Sequence, residues 1–331
     1  MNDVEELKQF ALVHARTQGI PPELTEAVLG RITSDDAAHP GSWAGEWSRA
    51  AEAHEARQEL LEASRLYTMA RFPFVDGPAR RHALDKAIDT FSRSGSGLEP
   101  FQVDTPQGVI RCWRGGTGPL LLISGGIVSI KEQWAGLLLQ LTKAGLSGVV
   151  TELPQAGVNS LPYDADSWRM IPAILDALGT TEATGAYAMM MSFSGHLALR
   201  AAANDPRVKG VLTVGAPVSG FFTDAGWQQA LPRVTVDTIV HLTGEKPGGL
   251  ADWALRPDEL RSIDVPVAYV ASKHDEIIPS HDIDLLAAHV RRFSLLEHDD
   301  VHGSPAHTAQ TGAWLTQSLQ AMTASSPKGR P

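Results

Sequence analysis

Apolar residues recur at three- and four-residue spacing through the first 97 positions. Val4, Leu7, Phe10, Ala11 and Val13 form one stripe, and Leu60, Leu61, Ala63, Leu66 and Tyr67 form another. That is the period of helices turning one face to a core. Gly41-Ser42 and Asp76-Gly77-Pro78 punctuate the segment, and Ser92 to Gly97 reads as a linker. From residue 99 the pattern changes to strands alternating with helices. Val109 to Trp113, Leu120 to Ile123, Leu146 to Thr151, Ala186 to Met191, Val208 to Val214, Val265 to Ala271 and Phe293 to Glu297 read as strands. Lys131 to Ala144, Asp164 to Leu178, a stretch ending near Ala203, and Thr308 to Met322 read as helices. Residues 217 to 262 are mixed. The chain therefore divides into a helical domain over 1–97 and a larger domain over 98–331. The larger domain is an α/β fold, a doubly wound and mostly parallel sheet with helices on both faces.

Composition narrows the function. The 331 residues are 43% hydrophobic and 20% charged, which is ordinary globular usage. The formal charge of −10 and the absence of a basic run argue against nucleic acid as partner. No apolar run approaches the ~18 residues of a membrane span. The first 30 residues lack a basic-then-apolar leader pattern, so a cytoplasmic enzyme is expected. The single cysteine, Cys112, excludes a disulfide framework and a multi-cysteine metal site. His298-Asp299-Asp300-Val301-His302 has ligand-capable residues but no second cluster, so neither metal nor cofactor is expected.

The chemistry lies in the loops at the carboxyl ends of the strands. Met190-Met191-Ser192-Phe193-Ser194-Gly195-His196 follows an apolar strand and opens an Ala-rich helix. That is the setting of a nucleophile elbow, a tight strand–turn–helix that exposes a serine hydroxyl. Two registers fit, one with Ser192 and one with Ser194 as nucleophile. Ser192 is favoured, because the Ser194 register puts bulky His196 where a small residue belongs. A serine hydroxyl needs a base, and the base needs an orienting carboxylate. Asp275 lies in the loop after Val265 to Ala271. His302, followed by glycine, lies between the final strand and the final helix, with His298 and His307 as rivals. Backbone donors for a developing oxyanion are expected from Phe193, just after the nucleophile, and from Gly126 or Ile127 after the strand Leu120 to Ile123.

A family resemblance rests on these same segments. Ser124 to Glu132 resembles the GG-x-x-S-x-KE oxyanion loop of one α/β-hydrolase branch. Glu152 to Gly157 is similar to its D-x-P-G-x-G loop, and Ser192 to Arg200 to its S-x-G-G-x-x-A-L-R elbow. Glu62 to Tyr67 and Phe72-Pro73-Phe74 resemble its cap helix. That branch of the superfamily carries an N-terminal helical cap. It includes 2,6-dihydroxypseudooxynicotine hydrolase, which cleaves a carbon–carbon bond, and the fungal polyketide-shortening hydrolases. The resemblance implies an α/β-hydrolase fold and Ser192, Asp275 and His302 as triad. It also implies a homodimer formed through the caps. Met190, Ser194 and Gln155 stand where the branch has glycine. The C–C hydrolase also has a further glutamate after the strand corresponding to Val208 to Val214, where this chain offers Asp224.

The expected function is a serine hydrolase acting on an ester or ketone of an apolar, aromatic or polyketide-like small molecule. Carbon–carbon cleavage is included in that reading. The alternatives are a lyase or cyclase step in secondary-metabolite biosynthesis, such as acetate elimination, on the same triad, and a non-catalytic binding protein on a hydrolase scaffold. The cap is expected to cover the pocket mouth. Trp43, Trp47 and Tyr67 of the cap, together with Asp224 of the larger domain, are the candidate substrate contacts.

Overall fold

The computed structural model describes residues 2–324. The chain separates into two compact units. The first spans the chain to Leu98 together with Glu132–Gly136; the second runs from Glu99 to Lys131 and onward from Leu137. Among the described residues no helix is long and apolar enough to cross a membrane.

The first unit is built on α1 (Val4–Thr17), α2 (Pro22–Leu29), α3 (Trp43–Ala56), α4 (Leu60–Arg71) and α5 (Pro78–Arg93). Local chemistry sets their ends. The Asp3 carboxylate accepts from the amides of Glu5 and Glu6, the Ser42 hydroxyl accepts from Gly45, and Pro78 opens α5 where no amide donor is required. The apolar stripe is buried as its spacing requires, with Leu7, Ala11 and Ala15 facing inward from α1. The predicted linker starts later than expected. Helix α5 continues through Ser92 and Arg93, because Thr90 and Phe91 are buried in its last turn.

The second unit is an eight-stranded sheet. Its strands are β1 (Glu99–Thr105), β2 (Gly108–Gly116), β3 (Leu120–Ser124), β4 (Ser147–Thr151), β5 (Ala186–Met190), β6 (Val208–Val214), β7 (Val267–Ser272) and β8 (Phe293–His298). The order across the sheet is β1-β2-β4-β3-β5-β6-β7-β8. β1 and β2 form an antiparallel hairpin, β2 meets β4 antiparallel, and the remaining pairs are parallel. The central strands β5 and β7 are buried at every position, as both-face helical cover demands. The helices are α6 (Lys131–Lys143), which carries residues of both units, then α7 (Met170–Ala177), α8 (Phe193–Asn204), α9 (Gly220–Thr223), α10 (Ala225–Ala230), α11 (Arg233–Thr243), α12 (Pro257–Arg261), α13 (Ser280–His289) and α14 (Thr308–Ala324). The mixed stretch after β6 thus resolves into α9 to α12. α9, α10 and α12 are too short to show a helical period in sequence, whereas α11 buries one face through Val234, Thr238, Ile239 and Leu242.

A buried carboxylate organises the loop after β6. Asp282, on α13, is fully buried, and its oxygens accept from the amides of Val218, Ser219, Gly220 and Phe221 at 2.6–3.4 Å. The anion takes the place of a missing backbone ladder at this turn. Asp282→Ala leaves those amides orphaned and should lower the unfolding free energy by about 3 kcal/mol or more. The expected readout is a lower urea midpoint at unchanged slope; a midpoint equal to that of the native protein contradicts this role.

Candidate active site

The turn from β5 into α8 is forced by close packing. Every α8 residue from Phe193 to Ala202 is buried, so the helix runs directly against the sheet. A Cβ on Gly195 would lie 2.0 Å from Thr213 Oγ1 and 2.8 Å from Ala216 Cβ, so only glycine fits. Ser192, at the corner, has φ 54° and ψ −128°. That left-sided backbone is disfavoured for any residue with a Cβ and persists only where its surroundings hold it. They do so here through hydrogen bonds from the Ser192 amide to Val214 O and from the Gly195 amide to Ser192 O, both at 2.8 Å.

Ser192 and Ser194 are now distinguishable by their surroundings. The Ser194 hydroxyl is buried and donates to the carbonyls of Met191 (2.9 Å) and Ser124 (3.1 Å), which ties the elbow to β3. The Ser192 hydroxyl, on a half-buried residue, lies 3.1 Å from His302 Nε2. The other imidazole nitrogen, Nδ1, lies 2.9–3.0 Å from both Asp275 carboxylate oxygens. Asp275 Oδ1 is itself held by the amides of Ile277 (2.9 Å) and Ile278 (2.7 Å). The structure brings Asp275, His302 and Ser192 into one hydrogen-bonded chain across the ends of β5, β7 and β8.

The space for the imidazole comes from the residue that follows β6. Gly215 has φ +60°, and a Cβ there would sit 2.7 Å from His302 Cε1. Gly126 closes the site from the β3 side, where a Cβ would fall 3.1 Å from Ser192 Cβ. The loop holding Gly126 and Ile127 therefore borders the serine, and Phe193 opens the first turn of α8, whose amides lack intrahelical acceptors.

Buried carboxylates fix the surrounding loops. Glu152, 1% exposed, accepts from the amides of Lys131, Val158 and Asn159 at 2.7–3.1 Å, with the Lys131 ammonium 3.5 Å away. It thereby joins the start of α6, directly after the Gly126 loop, to the turn that follows β4. Gly157 is required there because a Cβ would meet the Glu152 carboxylate at 2.4 Å. Gln155 takes the φ of +62° that glycine would adopt more readily. Its amide donates to Asn159 O and its side chain to Leu161 O.

The other histidines lie elsewhere. His298 Nε2 pairs with Thr311 Oγ1 at 3.1 Å, and the ring stacks on His307, which is bound to Asp300. His196 is buried beside Pro217 O. Burial, together with the charge of Arg200, pushes its pKa down to about 3, which keeps it neutral. The His302 pKa moves the other way. Burial disfavours its charged form, but the charge and hydrogen bond of Asp275 and the charge of Glu276 outweigh that, and the net pKa is raised.

The four expected substrate contacts are dispersed. Trp43 and Trp47 are fully buried in the helical unit, where Trp43 Nε1 donates to Met69 O at 2.8 Å. Tyr67 donates to Glu55 (2.9 Å) and lines a cavity of about 320 Å³ with Glu52, Ala56, His82 and Lys86. Asp224 is exposed and caps α10 through the Trp227 amide. Sequence reasoning passed over Gly215, Glu152 and Glu276. Glu152 and Gly157 lie within the segment similar to a D-x-P-G-x-G loop, and Glu276 lies beside Asp275, but nothing local shows where a carboxylate points.

The chain is similar to known proteins over most of its length. The solved structure of AbyA5 is 47% identical, with a TM-score of 0.92 over 98% of this chain and 95% of that one. The crystal structure of 2,6-dihydroxy-pseudo-oxynicotine hydrolase shares the fold at 18% identity, with a TM-score of 0.70 over 94% of each chain. Esterase FrsA of Photobacterium profundum is 23% identical over 361 residues, covering 91% of this chain and 85% of that protein. No family model matches the chain.

The charge balance at His302 is measurable. Its pKa in the folded chain is raised above 6.5, so the native state binds the proton more tightly than the unfolded chain. The resulting stability is fully present below pH 6.5 and is lost as pH rises through the folded value. NMR titration of the imidazole should give a midpoint above 6.5. A midpoint at or below it contradicts the balance described.

Proposed function

The chain belongs to the α/β-hydrolase family that includes AbyA5, and from that membership we propose that it is a serine hydrolase working through Ser192, His302 and Asp275. The observation that carries the reading is the hydrogen-bonded chain Asp275–His302–Ser192, ending on a serine held in a disfavoured backbone conformation. His302 takes the serine proton through Nε2 as Ser192 Oγ attacks a carbonyl carbon. Asp275 fixes the Nδ1–H tautomer and stabilises the imidazolium. The amides of Phe193 and of Gly126 or Ile127 stabilise the developing oxyanion. Protonation of the leaving group by His302 yields an acyl-enzyme, which water, activated by the same histidine, releases.

The proposed substrate is an ester of an apolar or aromatic small molecule, with a polyketide-like acyl group among the candidates. Carbon–carbon cleavage has less support. In the C–C hydrolase of the resembling branch a further glutamate acts after the strand corresponding to β6. Here Asp224 is exposed and engaged as a helix cap. The intact triad also speaks against a non-catalytic scaffold, which needs no such alignment.

Ser192→Ala should lower turnover of p-nitrophenyl acetate by at least about 10³-fold at unchanged thermal stability. Ser194→Ala should retain the bulk of the activity, since that hydroxyl only braces the elbow. Wild-type turnover by Ser192→Ala would exclude the serine mechanism.

A further inference from the structure

We infer that Glu276 is a positioning residue for the histidine base: its carboxylate holds the main chain of His302 while Asp275, its neighbour in sequence, holds the ring. The inference rests on the reading of His302 as base and extends it to a second acid.

The geometry is specific. Glu276 Oε2 accepts from the His302 backbone amide at 3.0 Å, and the two Asp275 oxygens face His302 Nδ1 at 2.9–3.0 Å. Two consecutive residues of one loop thus grip one residue of another loop at two points. The tip of the gripped loop is otherwise tied mostly within itself, by the Ser304 amide to Val301 O (3.0 Å) and by the Asp300 carboxylate, which accepts from the amides of Val301 (2.9 Å) and Ala306 (2.8 Å). Ser304 is buried at φ 50°, its hydroxyl 2.8 Å from Ser272 Oγ, and further back the amides of Lys273 and His274 donate to the carbonyls of His298 and Asp300. Val301 and Gly303, on either side of His302, are exposed. Without Glu276 the amide of His302 loses a charge-assisted acceptor, and the segment 301–303 gains freedom where a fraction of an ångström decides whether Nε2 reaches Ser192.

Glu276 also acts on the charge of the base. The charged groups facing the imidazole are Asp275 and Glu276, both from the loop after β7. The elbow presents uncharged Ser192, and the loop after β6 presents Gly215. Within the histidine's own loop, Asp300 is bound to His307 and Asp299 to His274. The negative charge of Glu276 favours the imidazolium that forms as Ser192 loses its proton.

The test separates placement from charge with two variants. Glu276→Gln keeps an acceptor and removes the charge; Glu276→Ala removes both. In Glu276→Gln the His302 midpoint, read by NMR, should fall by about half a pH unit, and the acidic limb of kcat/KM on p-nitrophenyl acetate should move down with it. The direction follows because losing an anion weakens proton binding, so the neutral base survives to lower pH. Glu276→Ala should show the same displacement and in addition a kcat reduced ~10-fold with KM held. Unchanged midpoints in both variants, with kcat intact, would overturn the inference. The NMR titration needs no turnover, so it reads the Glu276 effect even if Ser192→Ala shows that the serine reading fails.

Discussion

Ser192 Oγ sits 3.1 Å from His302 Nε2 because three loops from three strands converge on one point. A neutral hydroxyl is a poor nucleophile, and an imidazole free to rotate is a poor base. The distance holds only while the elbow after β5, the acid loop after β7 and the histidine loop after β8 keep their places. The sheet fixes the strand ends. Parallel pairing of β5, β6, β7 and β8, with one register shift at Ala186/Tyr187, brings their carboxyl ends together along one edge, which is where doubly wound sheets place their sites. Glycines then remove the atoms that would intrude, Gly195 beneath the elbow and Gly215 beside the imidazole.

What the sheet does not fix, buried carboxylates do. Asp282 gathers four amides after β6, Glu152 joins the turn after β4 to the start of α6, and Asp275 is steadied by Ile277 and Ile278 before it meets the imidazole. Each anion satisfies amides that a loop cannot pair by itself. Each has little freedom to relax, because a removed carboxylate leaves several donors unmet at once. These contacts brace the loops around Ser192, His302 and Asp275.

The architecture was legible because the signal was periodic. β6 and the start of α14 fall where the alternation of strand and helix patterns put them, and β3, β4, β5, β7 and β8 differ by one or two residues; β2 runs three residues further than expected, and the edge strand β1, most of which is exposed, was not among the expected strands. The candidate triad was legible because elbow, acid and histidine each follow a recognisable strand. What the sequence did not reveal lies in side-chain direction. Ser192 and Ser194 are told apart only by the surroundings of their hydroxyls, one facing an imidazole and the other two carbonyls. Trp43 and Trp47 share the helical spacing of pocket and core residues alike, and the structure packs both into the helical unit. Glu276 reads as a polar loop residue until its contact with the His302 amide, 26 positions away, is seen.

The most direct measurement of the central claim is the site of reaction with a fluorophosphonate, located by peptide fragmentation in a mass spectrometer. The geometry predicts a single adduct on Ser192, none on Ser194, and a labelling rate that collapses in His302→Ala. An enzyme that stays active while Ser192 remains unlabelled would contradict it.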